Sequence, residues 1–242
     1  IIIKKQKKKL MQKSPYIKIG NRKIGKDFKP IIIAELGINH GGCIDRAIQM
    51  VDSAISVGAE IIKHQTHIIE DEMSNEAKFI VPGNAKESIY KIMKKCSLTE
   101  KDEKRLMQHV KSKKTLFIST PFSKAAVDRL VKFKVPAFKI GSGECNNYPL
   151  IEYICQFKKP LIISTGMNDI NCVKKTVSII KKKNIPYALL HCTNIYPTPH
   201  KLVRLDAINL LQKTFPDAVI GLSDHTIDNI SAYGGLALGC SI

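Results

Sequence analysis

Phe138-Lys139-Ile140-Gly141-Ser142-Gly143-Glu144 is a short apolar run that breaks into polar residues and glycine, and three other stretches repeat the pattern. Lys63-His64-Gln65-Thr66 follows Ala59–Ile62. Ser119-Thr120-Pro121 follows Leu116–Ile118, and Ser223-Asp224-His225-Thr226 follows Val219–Leu222. Buried parallel strands read as short apolar runs. A (β/α) barrel keeps its chemistry at the C-terminal ends of its strands. Polar residues at those ends, drawn from distant parts of the chain, therefore converge on one mouth.

Outward from these clusters the chain alternates strand and helix. Strands are expected at Ile31–Glu35, Glu60–Lys63, Thr115–Ser119, Ala137–Ile140, Leu161–Ser164, Tyr187–Cys192 and Ala218–Leu222. Helices are expected at about 44–57, from Thr99, and at 123–133, 148–156, 170–183, 205–214 and 228–238, with Thr99 as an N-cap. Residues 67–97 read as a long polar insertion. Tyr16–Ile19 and Arg22–Ile24 read as a hairpin turning at Gly20-Asn21. Cys240-Ser241-Ile242 reads as the opening of an eighth strand. The fold class is therefore α/β, a TIM barrel running to the start of strand 8, with an N-terminal hairpin. Its first and seventh strands are expected to have unpaired edges. A doubly wound sheet is the alternative, but Gly37-Ile38-Asn39-His40-Gly41-Gly42 lacks the G-x-G-x-x-G spacing usual in its first turn.

The formal net charge is +18 over 242 residues. Residues 1–29 carry eleven Lys or Arg against one Asp, so the remainder is only moderately basic. Residues 1–14 read as a basic, disordered tail and 15–242 as the barrel domain. This distribution argues against nucleic acid as a partner, while the basic body suits an anionic substrate. No apolar stretch is long enough for a transmembrane helix, so no membrane partner is expected. Seven scattered Cys without metal-site or redox-motif spacing suggest reduced thiols in a cytoplasm.

Lys63 and Lys139 both end strands. Two cations in one cleft are costly unless an anion pairs with them. Thr120, Ser142, Asn194 and Ser223 are placed to add hydrogen bonds to the oxygens of a phosphate or carboxylate. An aldolase-type Schiff base on either lysine fits the same pattern. Glu35 and Glu144 are strand-end carboxylates suited to acid–base work or to binding sugar hydroxyls. His225 fits a metal ligand, a general base or a hydrogen-bonded structural histidine. His191, inside an apolar strand, reads as structural.

The ordered motifs IIIAELGINHGG (31–42), AEIIKHQTH (59–67), FISTPF (117–122), FKIGSGECNNYPLI (138–151), PLIISTGMN (160–168), LLHCTNIYPTPH (189–200) and IGLSDHT (220–226) make the chain resemble the N-acetylneuraminate (sialic acid) synthases. These are phosphoenolpyruvate-condensing sugar-acid synthases, and legionaminate and pseudaminate synthases are their relatives. KHQTH stands where KFQT is commoner. The resemblance implies a (β/α)8 barrel joined to a small C-terminal antifreeze-like domain in a domain-swapped dimer. It implies condensation of phosphoenolpyruvate with N-acetylmannosamine, using Mn2+ or else Mg2+ or Co2+.

Carried onto matching positions, Lys63, Thr120, Lys139, Ser142, Asn194 and Ser223 would hold phosphoenolpyruvate. Gln65, Glu144 and Tyr196 would face the sugar. Glu35 and His225 would be the catalytic residues, with His225 also a metal ligand. The metal would polarise the sugar aldehyde. C3 of phosphoenolpyruvate would attack it, water would capture C2, and phosphate would leave by C–O cleavage. The family's second metal-binding His and its C-terminal domain fall beyond residue 242, so a non-catalytic remnant is the competing expectation.

Overall fold

Short apolar runs build the frame of this protein. The computed structural model describes residues 14–83 and 85–242. The basic tail expected over 1–14 lies, apart from Ser14, outside the described residues. The antiparallel hairpin is β1 (Tyr16–Ile19) and β2 (Arg22–Gly25). Seven parallel strands follow: β3 (Ile33–Gly37), β4 (Ile61–Thr66), β5 (Leu116–Pro121), β6 (Phe138–Ile140), β7 (Leu161–Ser164), β8 (Tyr187–Cys192) and β9 (Val219–Ser223). They pair in chain order, β3-β4-β5-β6-β7-β8-β9. Sequential order without a crossover rules out the doubly wound alternative. The protein is thus mixed α/β, with a curled seven-stranded parallel sheet.

Helices connect the strands: α1 (Ile44–Ser56), α2 (Ile69–Glu72), α3 (Ile89–Cys96), α4 (Glu100–Ser112), α5 (Lys124–Lys132), α6 (Tyr148–Cys155), α7 (Ile170–Lys182), α8 (Asp206–Thr214) and α9 (Ile230–Ala237). Local chemistry sets their starts. Thr99 accepts the Asp102 N–H at 3.1 Å, Ser123 accepts that of Ala126 at 3.2 Å, and Asp169 accepts those of Asn171 and Cys172 at 2.8 Å. These satisfy donors that a helix N-terminus leaves free. Gly58 stops α1 at φ +96°, a conformation costly for any residue with a Cβ.

Strand side chains alternate between two cores. Ile62, Phe117, Phe138, Ile163, Leu189 and Ile220 pack outward against the helices. Their neighbours Ile61, Ile118, Ala137, Ile162, Ala188 and Val219 pack inward, together with Ile17, Ile19 and Ile24 of the hairpin. The hairpin therefore plugs the end of the sheet where the strands begin, leaving the other end for polar residues.

One expectation is corrected. The edges of β3 and β9 are not both open. Ser241 donates to Ile220 O at 2.9 Å and accepts from Ile31 N at 3.0 Å, while Ile242 O accepts from Leu222 N at 2.9 Å. Two residues suffice because backbone donors and acceptors face both neighbours of an extended segment. The polar insertion at 67–97 carries structure of its own. It contains α2, a 3-10 turn at Asn75–Lys78 and α3. Its buried apolar anchors, Ile69 and Ala77, are too sparse to show as a helical period.

Candidate active site

Following the inward side of each strand past the apolar floor leads to Glu35 on β3, Lys63 and Gln65 on β4, Thr120 on β5 and Lys139 on β6. Ser164 on β7, Cys192 on β8 and Ser223 on β9 complete the ring. Period-two alternation fixes this, because each lies two or four residues beyond a floor residue. Lys63 and Lys139 are buried, 4% and 5% exposed. Lys63 Nζ forms an ion pair with Glu35 and donates to Thr120 Oγ1 at 3.3 Å. Lys139 Nζ donates to Ser164 Oγ at 2.7 Å and to Ile140 O at 2.8 Å. Burial, with the nearby Lys63 charge, pulls Lys139 down to about 7. Burial works against ionisation of Glu35, yet the charges of Lys63, Lys139 and His225 outweigh it and hold the carboxyl below its ordinary range.

Beyond this ring the loops add a second group. Ser142 Oγ is buried without a hydrogen-bond partner. Asn168 Nδ2 fixes the same turn by donating to Ser142 O at 2.8 Å. Asn194 Oδ1 accepts from Cys192 Sγ at 3.1 Å. Glycine at 166 makes this crowding feasible. A Cβ there would lie 2.0 Å from Asn194 Oδ1, 2.9 Å from Cys192 O and 3.0 Å from Ser142 Oγ. A buried hydroxyl without a hydrogen-bond partner, on the turn that follows the strand of Lys139, is a donor that an anion's oxygen could complete. Gly166→Ala is expected to weaken phosphate binding by at least about tenfold, read by calorimetric titration. Unchanged affinity would remove Asn194 and Ser142 from the anion site.

His225 lies half-buried after β9. Its Nδ1 meets Thr193 O at 2.8 Å and its ring stacks on Tyr196, centroids 3.9 Å apart. Burial disfavours its charge, but Cys192, the Thr193 carbonyl and Glu35 more than compensate and raise its pKa. With Nδ1 donating to the carbonyl, Nε2 is left free, the usual way a second partner orients a ligating imidazole. Among the described residues, however, no group of three His, Cys, Asp or Glu stands ready for a metal. These residues alone do not fit a divalent-ion site.

The expected site residues do not all meet. Glu35, Lys63, Gln65, Thr120 and Lys139 share one cluster. Asn194, Ser142, Ser223 and His225 gather around Cys192. Glu144 sits on the turn after β6, its Oε2 accepting from Asn147 Nδ2 at 2.6 Å. Tyr196 stands exposed at the rim. His191 points outward to Val203 O and is structural, as its place in the strand suggested. Ser164, Cys192, Gly166 and Asn168 were not singled out. Ser164 and Cys192 carried a signal, since each ends an apolar strand in the inward phase.

The mouth of this parallel sheet holds two buried lysines amid hydroxyls. This chain belongs to the NeuB family, whose match covers residues 50–242. It is 37% identical over 227 residues to an uncharacterized protein of Methanocaldococcus jannaschii, covering 93% of this chain and 64% of that protein. It is 34% identical over 224 residues to the N,N'-diacetyllegionaminic acid synthase of Campylobacter jejuni, covering 88% of this chain and 66% of that enzyme. Its fold is similar to the crystal structure of an N-acetylneuraminic acid synthetase from Leptospira borgpetersenii in complex with citrate. The TM-score is 0.86 at 30% identity, over 95% of this chain and 76% of that one. The chain thus spans 64% of the length of its Methanocaldococcus relative.

Proposed function

We propose that this chain carries the phosphoenolpyruvate-condensing site of a sugar-acid synthase in a (β/α)8 barrel. N-acetylmannosamine is the first candidate acceptor and N-acetylneuraminate the product. The acceptors that lead to legionaminate or pseudaminate are the alternatives. The observation that carries the reading is the pair of buried lysines in the mouth, Lys63 beside Thr120 and Lys139 beside Ser164. The sequential parallel sheet and the position of Ser241 and Ile242 between its first and last strands support the barrel.

In this reading Lys63, Lys139, Thr120, Ser142, Asn194 and Ser223 hold the phosphate and carboxylate of phosphoenolpyruvate. Gln65, Glu144 and Tyr196 line the way in for the sugar. C3 of phosphoenolpyruvate attacks the open-chain aldehyde carbon, water adds at C2, and phosphate departs with its bridging oxygen. Lys63 and Lys139 match the charge on that phosphate in a site shielded from bulk water. Glu35, kept ionised by Lys63, is placed to orient or deprotonate the incoming water. Lys139 acts by charge in this account, so borohydride with pyruvate should trap no Schiff base. A stable adduct would favour the aldolase reading.

A divalent ion, Mn2+ first among Mg2+ and Co2+, belongs to the proposal with His225 as the ligand on hand, and no step above runs through it. Because the described donors do not make a complete set, Mn2+ titrated into this chain should show no saturable micromolar site. A tight site lost on His225→Ala would overturn that expectation. The function itself is tested by following phosphate release from phosphoenolpyruvate with each amino sugar in turn. Absence of release with every sugar, with phosphoenolpyruvate still bound, would point to a binding remnant.

A further inference from the structure

His67 ends the motif KHQTH and has no part in the site described so far. Its side chain is buried, and its ring lies flat on Phe122, centroids 4.4 Å apart and 11° between planes. Nδ1 faces the carboxylate of Glu72, 2.9 Å from Oε1 and 3.1 Å from Oε2. Nε2 faces Gln65 Oε1 at 3.3 Å. Gln65 Nε2 in turn reaches Glu35 Oε1 at 3.5 Å, and Glu35 pairs with Lys63. Glu72 is itself held, because its helix α2 is clamped where Asp71 accepts the Ala125 N–H at 3.0 Å.

We propose that His67, fixed by Glu72 and Phe122, is a positioning residue that sets which end of the Gln65 carboxamide faces Glu35. This rests on the reading above in which Gln65 faces the amino sugar. The hydrogen-bond bookkeeping is restrictive. Both ring nitrogens face acceptors, which the ring satisfies only by carrying a proton on each. A neutral ring donating to Glu72 would present a lone pair to Gln65 Oε1. Only an end-for-end turn of the amide repairs that. The turn points Oε1 at Glu35, which must then take a proton to donate. The ring proton, the amide orientation and the Glu35 proton are therefore one linked choice. The charged or titratable groups around the ring are Glu72 on α2, Glu35 on β3, Lys63 on β4 and His40 on the loop after β3. Only Glu72 touches it directly.

His67→Phe keeps the stack on Phe122 and removes both polar contacts. It should raise the KM for the amino sugar about tenfold and leave that for phosphoenolpyruvate nearly unchanged. Gln65→Ala should do the same, and the double variant should be no worse than Gln65→Ala alone. Additive losses would overturn the proposal. A readout independent of turnover is the nitrogen-15 spectrum of the His67 ring. Gln65→Ala should shift the Nε2 resonance and leave Nδ1 in place, and an unmoved Nε2 would equally overturn it. If the chain turns over no sugar yet Nε2 responds to Gln65, the synthase reading fails while the positioning role stands.

Discussion

Lys139→Met is expected to weaken binding of phosphoenolpyruvate, or of inorganic phosphate, by about a hundredfold, since it removes a buried charge and its hydrogen bonds from the anion. The pH dependence of the unaltered protein is the sharper expectation. Burial and Lys63 hold Lys139 at about 7 in the empty site. Above that pH the empty site is neutral at Lys139, and a bound anion must bring the proton back. Affinity should therefore be highest below pH 7 and fall about tenfold per unit above it. Calorimetry in two buffers of different ionisation enthalpy reads the proton uptake directly. A flat affinity from pH 6 to 9 with no uptake would mean the amine is already charged before the anion arrives.

Glu103→Ala should cost about 3–5 kcal/mol of folding stability, measured by urea unfolding, because it strips the buried acceptor from the half-buried Arg129 cation and from Thr66 and His64. Glu103 is 1% exposed. Arg129 donates to it at 3.2 Å, Thr66 donates to it, and His64 Nδ1 lies 3.2 Å away. The tautomers of this outward-facing chain follow one from another. Gly42 N–H donates to His40 Nδ1 at 3.1 Å, so the His40 proton is on Nε2. That proton faces His64 Nε2 at 3.3 Å, so His64 carries its own on Nδ1, toward Glu103. A second proton on His40 is favoured by the Gly37 backbone, but not enough. Burial first, then the charge of His64, lowers its pKa from 6.5 to about 4. The unfolded chain binds that proton more readily than the folded one. Stability should therefore decline as pH falls from about 6.5 toward 4, and His40→Gln should flatten part of the slope.

The sheet and its phase were legible because a buried parallel strand leaves a dense mark. Tyr16–Ile19, Leu161–Ser164 and Tyr187–Cys192 match the structure residue for residue, and the other strands differ by one to three residues at one or both ends. Lys63, Gln65, Thr120, Lys139 and Ser223 were legible for the same reason, each being polar at the end of an apolar run. What stayed hidden depends on contacts across the fold. Glycine at 166 shows its purpose only once Asn194, twenty-eight residues on, lies against it. Glu144 lies past the strand in a 3-10 turn, where Asn147, three residues away, donates to its carboxylate. His64 and Thr66 alternate with catalytic candidates and face the opposite way, into the Glu103 network. Nothing in their type told them from Lys63 and Gln65 until the floor residues set the count.

The isoleucine plug of the hairpin makes the mouth a blind well. Ile17, Ile19 and Ile24 are buried against the inward floor residues of the strands. Whatever seats between Lys63 and Lys139 enters and leaves by the rim, past Gln65 and Tyr196. A second ligand lodged at that rim then acts as a stopper on the first. Traffic through such a well is last in, first out, and the order in which two ligands bind is written into its depth.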